Sequence, residues 1–210
     1  MPEPAFQYAT LSQQHGAARL GMWTFLATEV LFFGGVLLAY VVYRYGYPAA
    51  FAEAARHTHI AIGAANTAIL LTSSFLVAWG VEAAKHGFGR FAALLLWSAA
   101  ASGLVFMALK GYEYRLELSE SLFPDDGFAI TGSIAGGARL FFVFYFIATA
   151  LHALHVAIGI AVLAAIGARA RGGAYSPAYH APLTVAGLYW HFVDMVWIFL
   201  FALIYLPGRA

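Results

Sequence analysis

Five continuous apolar runs divide the chain, and a more polar segment separates each run from the next. As an α-helix, each run is long enough to cross the roughly 30 Å hydrocarbon core of a bilayer. Strands would show alternating segments of about ten residues instead, so helices are the predicted spanning form. The predicted spans are approximately 20–43, 60–81, 91–109, 140–166 and 183–206. We therefore expect an all-α integral membrane bundle of five transmembrane helices, with residues 1–210 forming a single membrane domain.

The composition excludes several classes of protein. The chain has 210 residues and only 10% of them are charged, whereas soluble domains carry about 25%. It contains no cysteine, which excludes disulfides and thiolate-bound iron–sulfur clusters. Its net charge of +1 comes with no basic stripe, so we expect no nucleic-acid partner. Residues 1–18 lack the basic start and cleavage site of a signal peptide, and the first run is expected to remain as a span.

The longest connection, residues 110–139, carries a group of acidic side chains followed by a glycine-rich return. The acidic residues are Glu113, Glu117, Glu120, Asp125 and Asp126. This composition predicts an exposed acidic loop, partly helical at its start, that is either a solvated face or a docking surface for a basic partner. Segments on the same side of the membrane as the N-terminus carry five basic residues and those on the other side carry six. Setting aside the three in the acidic loop leaves five against three, which weakly favours a cytoplasmic N-terminus.

Small residues recur inside the spans, where they suit close contact between helices in lipid. They include Gly34, Gly35, Ser73 and Gly159. Alanine-rich apolar sequence can also serve as plain filler, so these positions indicate close packing without fixing which helices meet.

Glu29 is the only charged residue in the first predicted span. It lies nine residues after Leu20, about 14 Å into the membrane, which is too deep for a helix cap or an interfacial anchor. A carboxylate at that depth costs about 2.5–3.5 kcal/mol to insert, so it needs a partner, a proton or a cavity. We predict a buried functional or structural carboxyl.

Polar side chains also interrupt the fourth and fifth spans. His152 and His155 are three residues apart on neighbouring positions of one helix face, and His191 and Asp194 share this spacing. Three interpretations remain open: haem ligation by histidines such as His152 and His191, a proton relay with Glu29, or a polar packing network that fixes helix register. A metal site is disfavoured because no third strong ligand is grouped with them.

Depth along the spans distinguishes the possible partners of Glu29. The fourth helix runs opposite to the first, and His155 lies eleven residues before its end at Ile166, about 17 Å deep. The same count places His152 about 21 Å deep. If the two helices are neighbours, Glu29 should therefore meet His155 and not His152. Asp194 lies at a depth similar to that of His155 and is expected to have His191 or another helix as its partner.

With these residues in view, the sequence closely resembles subunit III of the haem–copper cytochrome c oxidases. The resemblance covers residues from about 17 to 206. The matching stretches are GMWTFLATEVLFFGG, NTAILLTSSF, LKGYEY, FYFIATALHALHVAIG and YWHFVDMVWIFLFALIY. Longer members of this family have seven spans, and this sequence corresponds to the last five, as in the five-helix bacterial form.

The resemblance implies an accessory subunit without redox centres, which acts as part of the oxidase enzyme and is not catalytic alone. It implies that haem and copper belong to the partner subunits I and II, and that the subunit stabilises subunit I, supports proton uptake and binds phospholipid. It also implies a bacterial inner membrane location, with the N-terminus cytoplasmic and the C-terminus outside. The equivalent subunit of a quinol oxidase or of a nitric oxide reductase system is the alternative.

The resemblance also assigns residues, with no catalytic residue and no metal ligand in this chain. The buried glutamate of the family falls on Glu29, its histidine pair on His152 and His155, and its WHFVD element on a stretch containing His191 and Asp194. An arginine that holds a phospholipid head group falls on Arg169. Arg171, two residues later, is a possible substitute for it.

Overall fold

A computed structural model describes residues 6–177 and 179–209 of the chain. Within these residues, five helices are long and apolar enough to cross a membrane, as the sequence predicts. The helices are α1 (Leu11–Gly46), α2 (Pro48–Arg56), α3 (Ile60–Lys85), α4 (Gly89–Ser119), α5 (Ala135–Arg171) and α6 (Ala181–Leu200). A 3₁₀ turn at Gly132–Ile134 precedes α5, and a π-helical segment at Phe201–Tyr205 continues α6.

Several helices are longer than their predicted spans, because polar residues at the ends of the apolar runs are helical as well. The first begins at Leu11, where the Thr10 hydroxyl accepts a hydrogen bond from the Gln13 backbone N–H at 3.1 Å. An N-cap of this kind satisfies a backbone donor that the first helical turn leaves free. Helix α4 continues ten residues past the predicted end of the third span, and α2 was not predicted at all.

In the bundle, α4 packs between α3 and α5, while α6 packs against α3, α5 and α1. Helix α1 lies at one side and buries a single stripe of residues, formed by Met22, Leu26, Phe33 and Tyr40. These positions repeat at helical spacing, so one face of α1 meets α5 and α6 while the rest is exposed. The exposed face is apolar and suits lipid or another membrane subunit.

One end of the bundle, which we call the α2 end, is closed by short elements. Helix α2 contacts the start of α5 and buries Phe51. Leu122 and Phe128, in the connection between α4 and α5, are also buried in the core. The Arg209 guanidinium donates to the backbone carbonyls of Ala55, Arg56 and Thr58, which ties the carboxyl-terminal segment to the end of α2.

Some of the small residues singled out in the sequence do allow close packing, and others do not. A Cβ atom on Gly159 would lie 2.8 Å from the Trp190 ring, so α5 and α6 approach closely at that position. Gly34 and Gly35 have nothing within 4 Å of such an atom. The expectation of close packing is therefore wrong for that pair, which lies on the exposed part of α1.

Candidate functional site

Glu29 of α1 and His155 of α5 meet in the bundle, as the depth argument predicts. Glu29 Oε2 lies 3.1 Å from His155 Nε2. The other ring nitrogen, Nδ1, lies 2.8 Å from the carbonyl oxygen of Leu151, one turn earlier in α5. About one seventh of each side chain is exposed, 16% for Glu29 and 13% for His155. The pair therefore joins two antiparallel helices and remains close to the lipid-facing surface.

The two hydrogen bonds of His155 fix the number of protons in this pair. A carbonyl oxygen can only accept, so Nδ1 carries a proton and donates it to Leu151. One further proton then lies between Nε2 and the Glu29 carboxyl, either on the carboxyl or on the imidazole. The pair is thus either two neutral groups or an ion pair, and in both forms it carries no net charge. Because the pair has no net charge, the Glu29 carboxyl can be buried within a spanning helix at a lower cost.

Aromatic side chains hold this pair in place. The Phe33 ring meets the His155 ring edge-on, with centroids 5.1 Å apart. The Tyr189 hydroxyl of α6 donates to the backbone carbonyl of His155 at 3.0 Å. Because α6 also contacts α1, three helices converge on the pair.

His152 lies away from Glu29, inside the bundle. It is fully buried, and its ring centroid is 5.5 Å from that of Phe106 and 5.2 Å from that of Trp197. Neither of its ring nitrogens has a hydrogen-bond partner among the described residues. His152 is consequently a packed residue that takes no part in the Glu29 contact.

His191 and Asp194 do not bond to each other, contrary to the local pairing that their spacing allowed. His191 Nδ1 lies 2.6 Å from the Ser74 hydroxyl of α3. Neither oxygen of the buried Asp194 carboxyl has a partner in hydrogen-bond geometry within the described part of the chain. The Ser74 hydroxyl is nevertheless the polar side-chain group that neighbours the Asp194 carboxyl. Both residues of α6 therefore face α3.

An apolar groove of about 660 Å³ runs between α1 and α6. Among the described residues, its lining consists of the ionisable His191 and the apolar Trp23, Leu26, Ala27, Val30, Leu31, Leu188, Phe192 and Met195. His152 lies instead between Phe106 and Trp197 in the core, so the two histidines proposed as haem ligands occupy different surroundings. No group of three or more His, Asp or Glu side chains in residues 6–177 and 179–209 could hold a metal ion.

The two arginines predicted to bind lipid lie at the end of α5, opposite the α2 end. Both are exposed. The Arg171 guanidinium stacks over the Trp97 ring, 5.7 Å from its centroid, and lines a polar depression of about 600 Å³ with Arg90. Arg169 does not line that depression. The structure thus gives each arginine different neighbours.

A connected group of buried polar side chains in the bundle was not predicted from the sequence. We call it the Lys110 cluster, and it consists of Lys110, Glu113, Glu117, Tyr145 and Tyr205. Lys110 Nζ donates to Glu113 Oε2 at 3.0 Å and to the two tyrosine hydroxyls at 2.7 Å each. All five side chains are buried.

The expectation of an exposed acidic loop is therefore wrong for Glu113 and Glu117. Both belong to the last turns of α4, and both are fully buried. Their spacing from Lys110 is three and seven residues, which places all three on one helix face. That spacing was the available signal, but the tyrosines that complete the cluster are 35 and 95 residues away in sequence. Glu120, Asp125 and Asp126 are exposed, as predicted.

Comparison with known proteins gives one consistent result. Residues 3–209 match the family described as cytochrome c oxidase subunit III. The chain is 34% identical over 191 residues to cytochrome c oxidase subunit 3 of Thermostichus vulcanus, covering 90% of this chain and 87% of that relative. It is also 34% identical over 190 residues to cytochrome c oxidase subunit 3 of Synechocystis, covering 89% and 74%. A probable cytochrome c oxidase subunit 3 of Nocardia farcinica is 34% identical over 192 residues, covering 89% and 86%.

Proposed function

This chain belongs to the cytochrome c oxidase subunit III family, and we propose that it is the accessory, non-redox subunit that supports the haem–copper subunit of its complex. As a cytochrome c oxidase subunit III, it is one subunit of an oxidase complex and a multi-pass membrane protein. The named relatives favour this branch over the quinol oxidase and nitric oxide reductase alternatives.

In this proposal, subunit I contacts the bundle and subunit II completes the complex, with haem and copper in these partners and none in this chain. The chain stabilises subunit I, supports proton uptake and binds phospholipid. It lies in a bacterial inner membrane with the N-terminus cytoplasmic and the C-terminus outside. The α2 end then faces outward, and the Arg169 end faces the cytoplasm.

The Glu29–His155 contact is the observation that carries the proposal. It places two titratable side chains near the middle of two spanning helices and beside an apolar surface. Such intramembrane ionisable pairs are typical of proton-coupled membrane proteins. The pair also joins α1 to α5 across the bundle, so the same residues can support both proton uptake and the integrity of the subunit.

Replacing Glu29 tests this role in the purified oxidase complex. Glu29→Gln keeps a side-chain donor for His155 Nε2, whereas Glu29→Ala leaves that nitrogen without a partner at a cost of about 1–3 kcal/mol. We expect the Gln variant to assemble and to sustain turnover almost like the parent. The Ala variant should take up protons more slowly and should lose activity after fewer turnovers.

The matched control is Glu53→Ala on α2, since Glu53 is 43% exposed and pairs only with its neighbours Arg56 and His57. Proton uptake and the decay of oxygen consumption during continuous turnover are measured for each complex. If Glu29→Ala assembles and turns over as durably as the parent and the control, Glu29 has no part in the function and the proposal fails.

A further inference from the structure

The Lys110 cluster contains more negative than positive groups. Its two carboxyls, Glu113 and Glu117, share one ammonium group, Lys110, and relative exposure is 0% for both glutamates and 3% for the lysine. If both carboxyls were ionised, the cluster would carry a net charge of −1 with no access to water. An uncompensated charge in such surroundings is strongly disfavoured.

Counting hydrogen-bond donors separates the two carboxyls. The three protons of the Lys110 ammonium go to Glu113, Tyr145 and Tyr205. The Tyr205 hydroxyl in turn donates to Glu113 Oε2 at 3.1 Å. Glu113 therefore accepts two charge-stabilising hydrogen bonds, as expected for an ionised carboxylate.

Glu117 has none of these bonds. Neither of its oxygens lies in hydrogen-bond geometry with a donor of the described chain, although the Tyr145 hydroxyl faces it. The charged side chains that interact electrostatically with Glu117 are Lys110, Glu113 and Glu120. Lys110 is the one cation among them, and it is already paired with Glu113. The Tyr145 hydroxyl, which accepts from Lys110, can offer Glu117 one neutral donor. A buried carboxyl with no cation bonded to it is far less costly in its neutral form than as an anion.

The other polar groups around the cluster do not supply the missing positive charge. His152 lies near Lys110, but neither of its ring nitrogens has an acceptor, so nothing stabilises a charged imidazolium there. Tyr114 is bonded to the Thr149 hydroxyl at 2.6 Å. A proton is consequently the one ligand that balances the charge within this group of residues.

We propose that the Lys110 cluster binds one proton, which resides on Glu117 while Glu113 pairs with Lys110. The site is distinct from the Glu29–His155 pair, because it lies at the α2 end and joins α4, α5 and the π-helical segment. The π-helical segment presents Tyr205 to the ammonium, and such segments often occur at functional sites. The proposal does not depend on the role given to Glu29.

Infrared difference spectroscopy of the purified oxidase complex tests this assignment. The spectrum of the parent is compared with that of Glu117→Gln in H₂O and in D₂O. We expect the variant to lose one carbonyl band of a protonated carboxyl per chain, and that band should shift in D₂O in the parent. The matched control is Glu120→Gln, three residues away and 46% exposed, which should lose only carboxylate intensity.

A second variant tests the charge count directly. Lys110→Met removes the ammonium, so both carboxyls must then be neutral, and the protonated-carboxyl intensity of the cluster should double. If Glu117→Gln fails to assemble, Glu117→Asp serves instead, because it should retain the band at a displaced frequency. Loss of carboxylate intensity instead of protonated-carboxyl intensity on replacing Glu117, or no gain in Lys110→Met, would overturn the proposal.

Discussion

At the scale of single residues, hydroxyl groups of α3 serve as acceptors for two indoles buried on α6. Trp190 Nε1 donates to the Ser73 hydroxyl at 2.9 Å, and Trp197 Nε1 donates to the Thr67 hydroxyl at 3.0 Å. Each hydroxyl also donates to a carbonyl of its own helix, so both ends of the contact are satisfied. In lipid, where water cannot replace a lost partner, such contacts specify which helices meet and at which height.

Replacing Ser73 should expose the cost of losing one of these acceptors. In Ser73→Ala the Trp190 indole N–H remains buried without a partner, so we expect the subunit to lose about 1–3 kcal/mol of stability. The control is Ser102→Ala, whose hydroxyl bonds only to the Ser98 carbonyl of its own helix. Thermal dissociation of the subunit from the complex measures both, and equal effects in the two variants would contradict the assignment.

Arg169 and Arg171 belong to the residue scale as well. A guanidinium at the end of a span can reach the interface and bind a phosphate bidentately. We expect the double variant Arg169→Ala/Arg171→Ala to reduce the amount of anionic phospholipid that co-purifies with the complex. Each single variant should have a smaller effect. Arg115→Ala, at an exposed position of α4, is the control, and lipid content is measured by mass spectrometry. An unchanged lipid content in the double variant would count against both residues.

At the scale of elements, a large aromatic side chain fills the space that two glycines leave between helices. The Trp190 ring of α6 lies against Gly103 of α4 and Gly159 of α5, where an added Cβ would come within 2.9 and 2.8 Å of it. The contact requires positions without side chains on both helices, because backbone and ring are already at contact distance. Three helices are thus fixed relative to one another by one residue.

Gly159→Ala should therefore destabilise the bundle. The added methyl group would overlap the Trp190 ring, and overpacking of this kind costs about 1–3 kcal/mol. Gly34→Ala is the matched control, since that position has no neighbour within 4 Å and alanine favours the helix by about 0.5–1 kcal/mol. We expect the thermal denaturation temperature of the complex to fall for Gly159→Ala and to stay the same or rise for Gly34→Ala. A Gly159 variant as stable as the control would exclude this packing role.

The helices and their contacts were predictable from the sequence only in part. The apolar runs predicted the five spanning helices correctly, because a long apolar segment has few alternatives in lipid. Depth along straight antiparallel helices likewise predicted the Glu29–His155 contact. The start of the acidic segment is helical, as expected, but its burial was missed because its polar residues resemble a solvated loop by composition. Their partners, Tyr145 and Tyr205, lie on other helices, and no local pattern reveals that contact.

At the scale of the whole molecule, the two ends of the bundle differ in construction. The α2 end is closed by a short helix, by the connection after α4 and by the carboxyl-terminal Arg209, and it holds the Lys110 cluster beneath these elements. The opposite end carries Arg19, Lys85 and His180 around an open polar depression of about 760 Å³. Arginines also lie at the α2 end, among them Arg44, Arg56 and Arg139, so the proposed orientation calls for a direct measurement.

The absence of cysteine from the sequence makes that orientation directly measurable. Single cysteines are introduced at exposed positions of the two ends, Asp126→Cys at the α2 end and Ser12→Cys at the opposite end. With the N-terminus cytoplasmic, a membrane-impermeant maleimide added to intact cells should label Asp126→Cys and leave Ser12→Cys unlabelled until the membrane is permeabilised. The cysteine-free parent gives the background for both. Labelling of Ser12→Cys in intact cells, with protection of Asp126→Cys, would reverse the proposed topology and place the Lys110 cluster on the cytoplasmic side.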